Sequence, residues 1–363
     1  MGAPGRACGR PRLVLAHTPM EDVAVRIDTA TEGDARAWNE FVASQSQASG
    51  YHAWGWGTVF ERAFGHEPIY LIARRGDTIV GVLPLVAIKS VLFGRTLTSL
   101  PFVNYGGVLA ADEQAGQALV DAAGDLARSM RCGHVELRHA GRRFPALPCK
   151  QHKVAMRLPL SGVSWERLDK KVRNQIRKAE KSGLTAHVGG AELLGEFYRV
   201  FARNMRDLGT PVYSRALFEE VLRVFPDNAH VHVIRLQGTP VGAAVTYHAA
   251  GMMEMPWASS VRDYNALCPN HLLYWSIIQF AAAMGHAVLD FGRSTPGEGT
   301  FKFKEQWGAE PLALHWEYVL AAGGAMPDVS PANPKFQAAI EIWKRLPLPL
   351  ATRIGPHVVR GIP

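Results

Sequence analysis

The sequence predicts an α/β (α+β) fold built from two similar units. The order helix, hairpin, strand, helix and buried strand occurs once in each half of the 363 residues. Residues 140–153, with Gly141, Pro145 and Pro148, have the composition of a linker between the halves. Hydrophobic residues make up 47% of the chain and charged residues 20%, which is typical of a globular protein. We therefore expect two mixed, twisted sheets flanked by helices, with a cleft between them.

The first unit is expected to carry two amphipathic helices ahead of a hairpin that turns at Gly76-Asp77. Pro84 in the second hairpin strand indicates a bulge or a sheet edge. Residues 101–107 are expected to form a loop. The predicted elements are helices at residues 33–42 and 54–64, strands at 69–73, 79–88 and 96–100, a helix at 112–130 and a strand at 135–138.

The second unit repeats that order after three helices. Ser164 and Ser214 have the character of helix caps, Pro269 can open a helix without losing a hydrogen bond, and Gly183 and Gly285 can end one. The last strand is expected to close the sheet. The predicted elements are helices at residues 165–182, 192–208 and 214–224, strands at 231–236, 241–248 and 252–259, a helix at 269–284, and strands at 288–291 and 312–320.

The charge balance and the cysteines restrict the class of protein. Forty Lys and Arg against 32 Asp and Glu give a net charge of +8, which favours an anionic partner, although a basic surface without a function explains it equally well. The four cysteines are far apart and form no CxxC pair, and no histidine cluster completes a zinc site. This predicts free thiols in a reducing compartment, the cytoplasm, and no metal. The sequence contains no run of 18 apolar residues, so no membrane-spanning helix is expected.

Both ends of the chain are expected to lie outside the two units. Residues 1–22 make a poor signal peptide and are expected to be a disordered extension, unless Met20 is the true start. Residues 327–363 combine a proline-rich segment, an amphipathic helix and an irregular tail. The apolar positions of that helix are Phe336, Ile340, Ile342 and Trp343.

The most informative segment runs from Ala287 to Gly308. An apolar strand ends at Gly292-Arg293, a Gly/Pro/Ser/Thr loop follows, and Lys304 then stands between Phe303 and Trp307. Ligands of α/β proteins tend to bind just beyond the carboxyl ends of buried strands. Lys304 is therefore the candidate for polarising a carbonyl group or holding a phosphate, and a surface lysine on a helical turn is the alternative.

A strongly basic helix is predicted at residues 165–182. Its seven cations against three carboxylates leave an excess of four positive charges. Arg173 and Arg177 stand four residues apart and share a face, with Lys178 beside them. Two guanidinium groups in this arrangement can grip a diphosphate, whereas the alternative is an ordinary solvated face.

Further candidates lie on the predicted strands and helices around the cleft. Glu254 stands among apolar residues of a strand, so it is either a general base with a raised pKa or an outward-facing residue. Asp290 ends the buried strand and is expected to orient Lys304 or Arg293, and Arg293 is itself a candidate for binding the substrate. The remaining candidates for substrate contacts, each with core packing or a structural role as the alternative, are Tyr105, His248, His271, Tyr274, Trp54 and Trp56.

Three motifs in the second half resemble the Fem-type (FemAB-like) aminoacyltransferases. Residues 171–183, KVRNQIRKAEKSG, are similar to the family's basic "R-x-x-I-x-K-A-x-x-x-G" helix. Asp290-Phe291-Gly292 resembles its "DFGG" strand end, and FKEQWG at residues 303–308 resembles "FKxxFG" with Trp for Phe. More weakly, Tyr105-Gly106-Gly107-Val108 resembles the "RGP" loop of the first domain. The proline-rich tail, residues 346–356, resembles a subfamily found beside exosortase and exopolysaccharide genes.

The resemblance implies two tandem acetyltransferase-like (GNAT-like) domains, at residues 23–153 and 154–326. It implies an N-acyltransferase that moves an aminoacyl or acyl group onto an amine of a peptidoglycan or exopolysaccharide precursor, phosphorylated or nucleotide-linked. Lys304 would be the catalytic lysine, with Glu254 and Asp290 in support. Aminoacyl-tRNA or acyl-CoA would be the donor substrate, and no further cofactor is implied. The implied location is the cytoplasm, with contact to the inner face of the membrane.

The sequence also departs from the family in two places. It has no sustained heptad run for the coiled-coil arm that many tRNA-dependent members carry, and no Q/R-x-x-G-x-G/A loop for the acetyl-CoA pyrophosphate before the Pro269 helix. An acyl-CoA or acyl-carrier-dependent N-acetyltransferase and a non-catalytic binding module of polysaccharide assembly therefore stay open. DNA binding is not expected, because no known DNA-binding motif is present.

Overall fold

The computed structural model describes residues 24–90, 93–327 and 334–362. The predicted disordered extension at residues 1–22 lies outside the described residues, as do residues 328–333 of the C-terminal segment. In the described ranges, the strands are β1 (Arg26–Thr29), β2 (Glu67–Arg75), β3 (Thr78–Ser90), β4 (Gly94–Ser99), β5 (Leu109–Ala110), β6 (His134–Ala140), β7 (Cys149–Pro159), β8 (Leu184–Gly189), β9 (Ala229–Leu236), β10 (Thr239–Ala249), β11 (Met252–Ser260), β12 (Val288–Ser294) and β13 (Glu310–Leu320).

The helices of the described residues cover both halves and the C-terminal segment, and short 3-10 turns precede several of them. The helices are α1 (Ala35–Ser44), α2 (Gly55–Phe64), α3 (Glu113–Ser129), α4 (Lys170–Lys181), α5 (Leu194–Leu208), α6 (Arg215–Val224), α7 (Pro269–Ala283), α8 (Gly299–Glu305), α9 (Pro334–Lys344) and α10 (Leu348–Val359).

The strands of both halves join in one mixed sheet, and β13 lies in its middle. The order is β1-β2-β3-β4-β6-β13-β7-β12-β11-β10-β9-β8, with β5 paired beside β3. β13 is antiparallel to β6 of the first half and to β7 on its other side. The prediction that this strand closes the sheet is therefore wrong. Its apolar pattern marks a buried strand, but only long-range pairing decides its neighbours.

Helices cover both faces of the second half of the sheet. On one face, α2, α5 and α6 pack with aromatic residues that include Tyr51, Trp56 and Tyr247. On the other face, α4 and α7 pack with Met253, Leu289 and their neighbours. Because alternate residues of a strand point to opposite faces, Glu254 and Asp290 lie on the first of these faces.

The predicted linker and Pro84 need correction. Residues 149–153 are the first part of β7, which lies across the predicted domain boundary at residue 153, so the irregular connection is shorter than expected. The division into two domains at that point stays a prediction. Pro84 marks neither a sheet edge nor a bulge. Strand β3 pairs with β2 on one side without a shift at Pro84. On the other side, Val82 pairs with β5 and Leu85 pairs with β4, so Pro84 lies between these two partners.

Two predicted elements of the second half differ in extent. Helix α4 begins at Lys170, five residues later than expected, because the Asp169 carboxylate caps it by accepting from the Lys171 amide. Strand β8 follows α4 directly and was not predicted, since most of its side chains are exposed and it lies at the sheet edge. The other predicted helices and hairpins lie within a few residues of their expected positions. The expectation of an irregular tail is wrong, because α10 forms there with a proline in its first turn, where a helix tolerates one.

Candidate active site

The candidate site begins where two parallel strands separate. β11 and β12 pair only where Met252–Glu254 lies beside Val288–Asp290, although both strands continue beyond these residues. Met255 and Pro256 of β11 stand opposite the single residue Thr246 of β10, because Tyr247 pairs with Glu254 and Val245 with Trp257. Such a bulge bends its strand and redirects the backbone. The sheet therefore opens immediately after Glu254 and Asp290.

A cavity of about 500 Å³, here called the central cavity, fills this opening. Its walls are residues 255–259 of β11 and 291–295 of β12 and the loop after it. Phe102 and Asn104 come from the first half of the chain, whereas Tyr274 and Lys304 come from α7 and α8. Both halves therefore contribute to the cavity, and its volume is in the range of small-molecule sites.

Lys304 lies at the wall of the central cavity rather than on the outer surface. Its side chain is 7% exposed, and Nζ donates to the carbonyl oxygens of Gly292 at 3.2 Å and Arg293 at 2.9 Å. An ammonium group has three N–H donors, so one is left for a ligand. The predicted anchors are present, because Phe303 packs against Tyr274 and Trp307. The alternative of a surface lysine is wrong.

Gly292 is needed for this geometry. Its φ of +75° lies in the left-handed region that favours glycine, at the irregularity of β12 between Asp290 and Arg293. A Cβ atom here would lie 3.2 Å from the carbonyl oxygen of Met255. The strand can thus turn the carbonyls of residues 292 and 293 toward Lys304 only with glycine at this position.

A buried network of two carboxylates lies behind the wall of the central cavity, and none of its side chains is among the lining residues. The Tyr105 hydroxyl is 2.8 Å from Asp290 Oδ2 and 3.3 Å from Glu254 Oε1. Arg157 donates to the Tyr105 oxygen at 3.0 Å and to Asp290 at 3.4 Å. Asp290 also accepts from the Gly292 amide at 2.7 Å. Asp290 therefore forms hydrogen bonds with Tyr105, Arg157 and the Gly292 amide, and not with Lys304 or Arg293 as predicted.

Burial and neighbouring charges shift the pKa values of the key groups. Burial, reinforced by the charge of Asp290, raises the pKa of Glu254 to about 8. Glu254 is 1% exposed, which excludes the alternative of an outward-facing residue, and its Oε2 atom has no partner among the described residues. Burial lowers the pKa of Lys304 to about 8, with Asp290 opposing and Arg293 adding to the shift. Near neutral pH the lysine is mostly charged and Glu254 mostly carries a proton.

Two more cations face the central cavity. The Arg293 guanidinium lies 5.5 Å from the Trp316 ring, and burial followed by the charge of Arg138 lowers its pKa. Lys153 donates to the Thr295 hydroxyl at 2.6 Å. Glu298 is the single carboxylate among the lining residues. The cavity is thus suited to a ligand with a carbonyl group and an anionic part.

The basic helix does not contribute to this cavity. Its apolar residues Val172, Ile176 and Ala179 are buried as predicted, and α4 packs against α7. Arg173, Arg177 and Lys178, however, do not line the central cavity. Arg177 lies over the Trp165 ring at 5.2 Å, and Lys178 is exposed. A diphosphate grip by these residues stays a prediction for a different part of the surface.

The other predicted contacts divide between the site and the core. Tyr274 lines the central cavity and packs against Phe291, whereas His271 packs behind it against Phe303 and Trp307. Burial, followed by the charge of Lys171, lowers the pKa of His271 to about 4. The residues with contacts elsewhere are Trp56 in the core, Trp54 against Trp38 and Tyr70, and His248 against His230 and His286.

Several residues of the site were not found from the sequence. Arg157 was missed because β7 was partly assigned to a linker, although the apolar residues Val154, Met156 and Leu158 at every second position were a usable signal. Asn104 and Tyr51 were missed because nothing in the sequence indicates that their loops meet the second half. In the described part of the chain, no group of three His, Cys, Asp or Glu residues has an arrangement that could hold a metal ion.

Comparison with known proteins identifies the type of domain. Residues 167–305 match the family model described as an acetyltransferase (GNAT) domain. This region contains α4, the opening between β11 and β12, and Lys304. No curated protein sequence gives a significant match.

Solved structures with the same fold cover both halves of the chain. FemX has a TM-score of 0.61 at 14% identity, covering 82% of this chain and 98% of FemX. A tandem GNAT protein from the clavulanic acid biosynthesis pathway has a TM-score of 0.54 at 12% identity, covering 84% and 100%. L-PGS from Bacillus licheniformis has a TM-score of 0.53 at 12% identity, covering 88% and 98%. The predicted α/β fold with tandem GNAT-like architecture is confirmed.

Proposed function

We propose that this protein, a GNAT-type acyltransferase with the tandem fold found in FemX, transfers its acyl group in the central cavity. The observation that carries the proposal is the buried ammonium group of Lys304, which faces the opening between β11 and β12 with one free N–H. A donor preorganised in this way stabilises the negative charge that develops on a carbonyl oxygen.

The reaction proceeds by attack of an amine on the acyl carbonyl. Lys304 donates to the carbonyl oxygen as it becomes an oxyanion. Because neither Glu254 nor Tyr105 lines the central cavity, the amine passes its proton to Glu254 through an intervening water molecule. The new C–N bond forms, the bond to the donor's sulfur or oxygen breaks, and the leaving group takes up a proton. Asp290 and Arg157 hold Tyr105 in position and keep the charge of the network balanced.

The donor is proposed to be acyl-CoA or aminoacyl-tRNA. Lys153 and Arg293 at the cavity suit the phosphates of either one. The acceptor is proposed to be an amine of a phosphorylated or nucleotide-linked envelope precursor, either of peptidoglycan or of exopolysaccharide. A link to exosortase systems stays a prediction that rests on the proline-rich tail.

The test is a direct comparison of donors. Purified protein is incubated with a set of amino sugars and amino acids and with either acyl-CoA or aminoacyl-tRNA, and amide products are identified by mass spectrometry. We expect an amide product with one class of donor and none with the other. Thioester or ester hydrolysis without amide formation would contradict transfer to an amine. No reaction with either donor would contradict the proposal and favour the non-catalytic binding module.

We further propose that α10 places the protein on the inner face of the membrane. Leu350, Ile354 and Val358 follow one another at i, i+4 and i+8, and each is more than one-third exposed. The cations Arg353 and Arg360 are exposed beside this stripe. The opposite face is buried, because Ala351, Gly355 and Val359 pack on the protein.

The charge of this segment indicates an anionic lipid surface. Residues 345–363 contain Arg345, Arg353 and Arg360 and no Asp or Glu, whereas Lys344 just before them is paired with Glu341. An apolar stripe flanked by cations binds at the interface of anionic bilayers. No helix within the described ranges is long and apolar enough to cross a bilayer, so the contact would be peripheral.

Vesicle co-sedimentation tests this contact. We expect binding to vesicles with one-third phosphatidylglycerol, little binding to pure phosphatidylcholine, and loss of binding in Ile354→Asp. Val188→Asp is the control, since Val188 is equally exposed but lies on β8. Equal binding of Ile354→Asp and Val188→Asp, or self-association through α10 without vesicle binding, would overturn the membrane proposal.

A further inference from the structure

A second cavity of about 580 Å³ lies where the two halves of the sheet meet. It is called the seam cavity here. Tyr105, Gly106 and Gly107 and residues 138–143 form its first-half side, and Met252 and Val288 form part of the other. Met252 and Val288 are the first paired residues of β11 and β12. The seam cavity therefore lies at the opposite end of this strand pair from the central cavity.

Four arginines and no carboxylate are among the residues that line the seam cavity. Its arginines are Arg138, Arg142, Arg143 and Arg157, and no Asp or Glu is among the lining residues. Two of them have carboxylate partners behind the wall, since Arg138 pairs with Glu136 at 2.6 Å and Arg157 with Asp290 at 3.4 Å. The Arg138 side chain is 2% exposed and lies over the Trp316 ring, so it adds little charge to the cavity. Arg142 and Arg143 also line a neighbouring cavity, together with Asp112 and Glu113.

Arg142 and Arg143 have only neutral oxygen partners for their side chains among the described hydrogen bonds. Arg142 donates from Nη2 to the carbonyl oxygens of Pro145 and Leu147. Arg143 donates to the Gln47 side chain at 2.9 Å and to the Ala110 carbonyl at 3.2 Å. The nearby Glu317 carboxylate is already occupied, because it accepts from His139 and from the amides of residues 143 and 144.

These guanidinium groups have unused donors. Arginine has five N–H groups, and the described hydrogen bonds of Arg143 and of Arg157 use two each. The two buried histidines of the cavity add no charge of their own near neutral pH. Burial lowers the pKa of His52 to about 4 and also lowers that of His139. The spare N–H groups of the arginines are therefore the features that a ligand would meet.

We propose that the seam cavity binds a small anionic ligand, with a phosphate or carboxylate group held by Arg142, Arg143 and Arg157. Guanidinium groups bind such planar or tetrahedral anions through paired hydrogen bonds. The volume admits a molecule of the size of a sugar phosphate. This site is separate from the central cavity, and it does not depend on the proposed acyl transfer.

The site is also connected to the carboxylate network. Arg157 lies in the wall of the seam cavity and donates to Tyr105, which in turn contacts Asp290 and Glu254. An anion that draws the Arg157 guanidinium toward the seam cavity weakens its contact with Tyr105 and Asp290. Where the proposed acyl transfer holds, an anion bound at Arg157 would therefore act on Glu254 through these contacts.

Binding of three sugars of equal size tests the proposal without turnover. Isothermal titration at low salt is carried out with glucose 1-phosphate, glucuronate and glucose as probes. We expect one of the two anions to bind at least about tenfold more tightly than glucose, because charge-assisted hydrogen bonds are the strong ones. Phosphate and carboxylate ligands are distinguished by which anion binds more tightly.

Matched variants locate the binding. Arg142→Gln/Arg143→Gln should lose the preference for the anion, whereas Arg62→Gln/Arg95→Gln removes the same charge from exposed positions outside the cavity and should keep it. Arg143→Lys retains the charge without the paired donors and should bind at least several-fold more weakly. Equal anion binding by both double variants, or no anion binding by the unaltered protein, would overturn the proposal. Either result leaves the acyl-transfer test unaffected.

Discussion

The chemistry of the site depends on two residues whose pKa values meet near pH 8. Glu254 accepts a proton only when it is deprotonated, above its raised pKa of about 8. Lys304 donates to an oxyanion only when it is protonated, below its lowered pKa of about 8. Burial is the main cause of both pKa shifts, because it disfavours the charged form of each residue.

The profile of kcat/KM against pH should therefore be a narrow bell with its maximum near pH 8. Each limb should fall by about tenfold per pH unit, as for a single ionisation. Glu254→Gln should remove the acidic limb and leave a low, flat rate on that side. A profile that stays level from pH 6 to pH 10 in the unaltered protein would contradict both assignments.

Tyr105 should affect the pH at which the acidic limb of the profile falls. Its hydroxyl donates to Glu254 and stabilises the carboxylate form, so Tyr105→Phe should raise the pKa of Glu254 and move the acidic limb to higher pH. The loss of a buried hydrogen bond should also cost about 1–3 kcal/mol of unfolding free energy. Tyr70→Phe, another buried tyrosine of the first half, is the control and should leave the limb in place. A limb that moves to lower pH would refute the role of Tyr105.

Among the elements, β12 has the most specific requirement. Gly292 adopts a φ of +75° with the Met255 carbonyl close by, whereas Gly297 adopts a φ of +81° with open space around it. Gly297→Ala should cost about 1–2 kcal/mol of unfolding free energy from the backbone conformation alone. Gly292→Ala should cost more and should also lower activity, because the carbonyls that hold Lys304 would move. Urea unfolding and a rate measurement compare the two variants, and equal effects would contradict this account of the strand.

The sequence predicts those parts of the site that depend on a pattern of neighbouring residues. Residues 303–308 place Lys304 between aromatic residues, and Phe303, Tyr274 and Trp307 do pack around it. The apolar stripe of α4 is likewise local and correct. The strand β7 was only partly predicted because prolines and basic residues precede it, and Arg157 was therefore not identified. The bulge at Met255 and the opening of the sheet depend on the pairing of β10, β11 and β12, which no local pattern encodes.

At the scale of the whole molecule, buried histidines should make the fold sensitive to acid. Burial lowers the pKa of His52, His66 and His271 to about 4 and that of His232 to about 3. These side chains are neutral when folded and take up protons when unfolded, at about pH 6.5. Their contribution to stability is therefore complete above pH 6.5 and falls as the pH drops toward 4.

The urea midpoint should consequently fall between pH 7 and pH 5. Glu254 opposes the trend, since its raised pKa favours the folded state as the pH falls, so the net uptake on unfolding is small at pH 7 and approaches about three protons at pH 5. Each proton changes the unfolding free energy by about 1.4 kcal/mol per pH unit. His52→Gln should reduce this dependence by about one proton. A midpoint that is constant or higher at pH 5 would contradict the neutral state of these histidines.

The position of β13 explains how the two halves form one site. This strand pairs with β6 and β7, so it fixes the first-half loop with Tyr105 against β11 and β12 of the second half. Trp316 of β13 lies between Arg138 and Arg293, at 4.4 and 5.5 Å from their guanidinium groups. The duplicated order of elements predicts two similar units, but which strand joins them is decided by contacts between residues far apart in the chain.

The most direct test of the central claim, that Lys304 stabilises the oxyanion, compares two lysines of one helix. Lys304 is buried at the cavity, whereas Lys302 of the same helix α8 is exposed. With the donor that gives an amide product in the comparison of acyl-CoA and aminoacyl-tRNA, Lys304→Ala should lower kcat by about 10²–10³-fold and change KM little, as for the loss of an oxyanion donor. Lys302→Ala should leave kcat unchanged. Equal values of kcat for the two variants would contradict the claim.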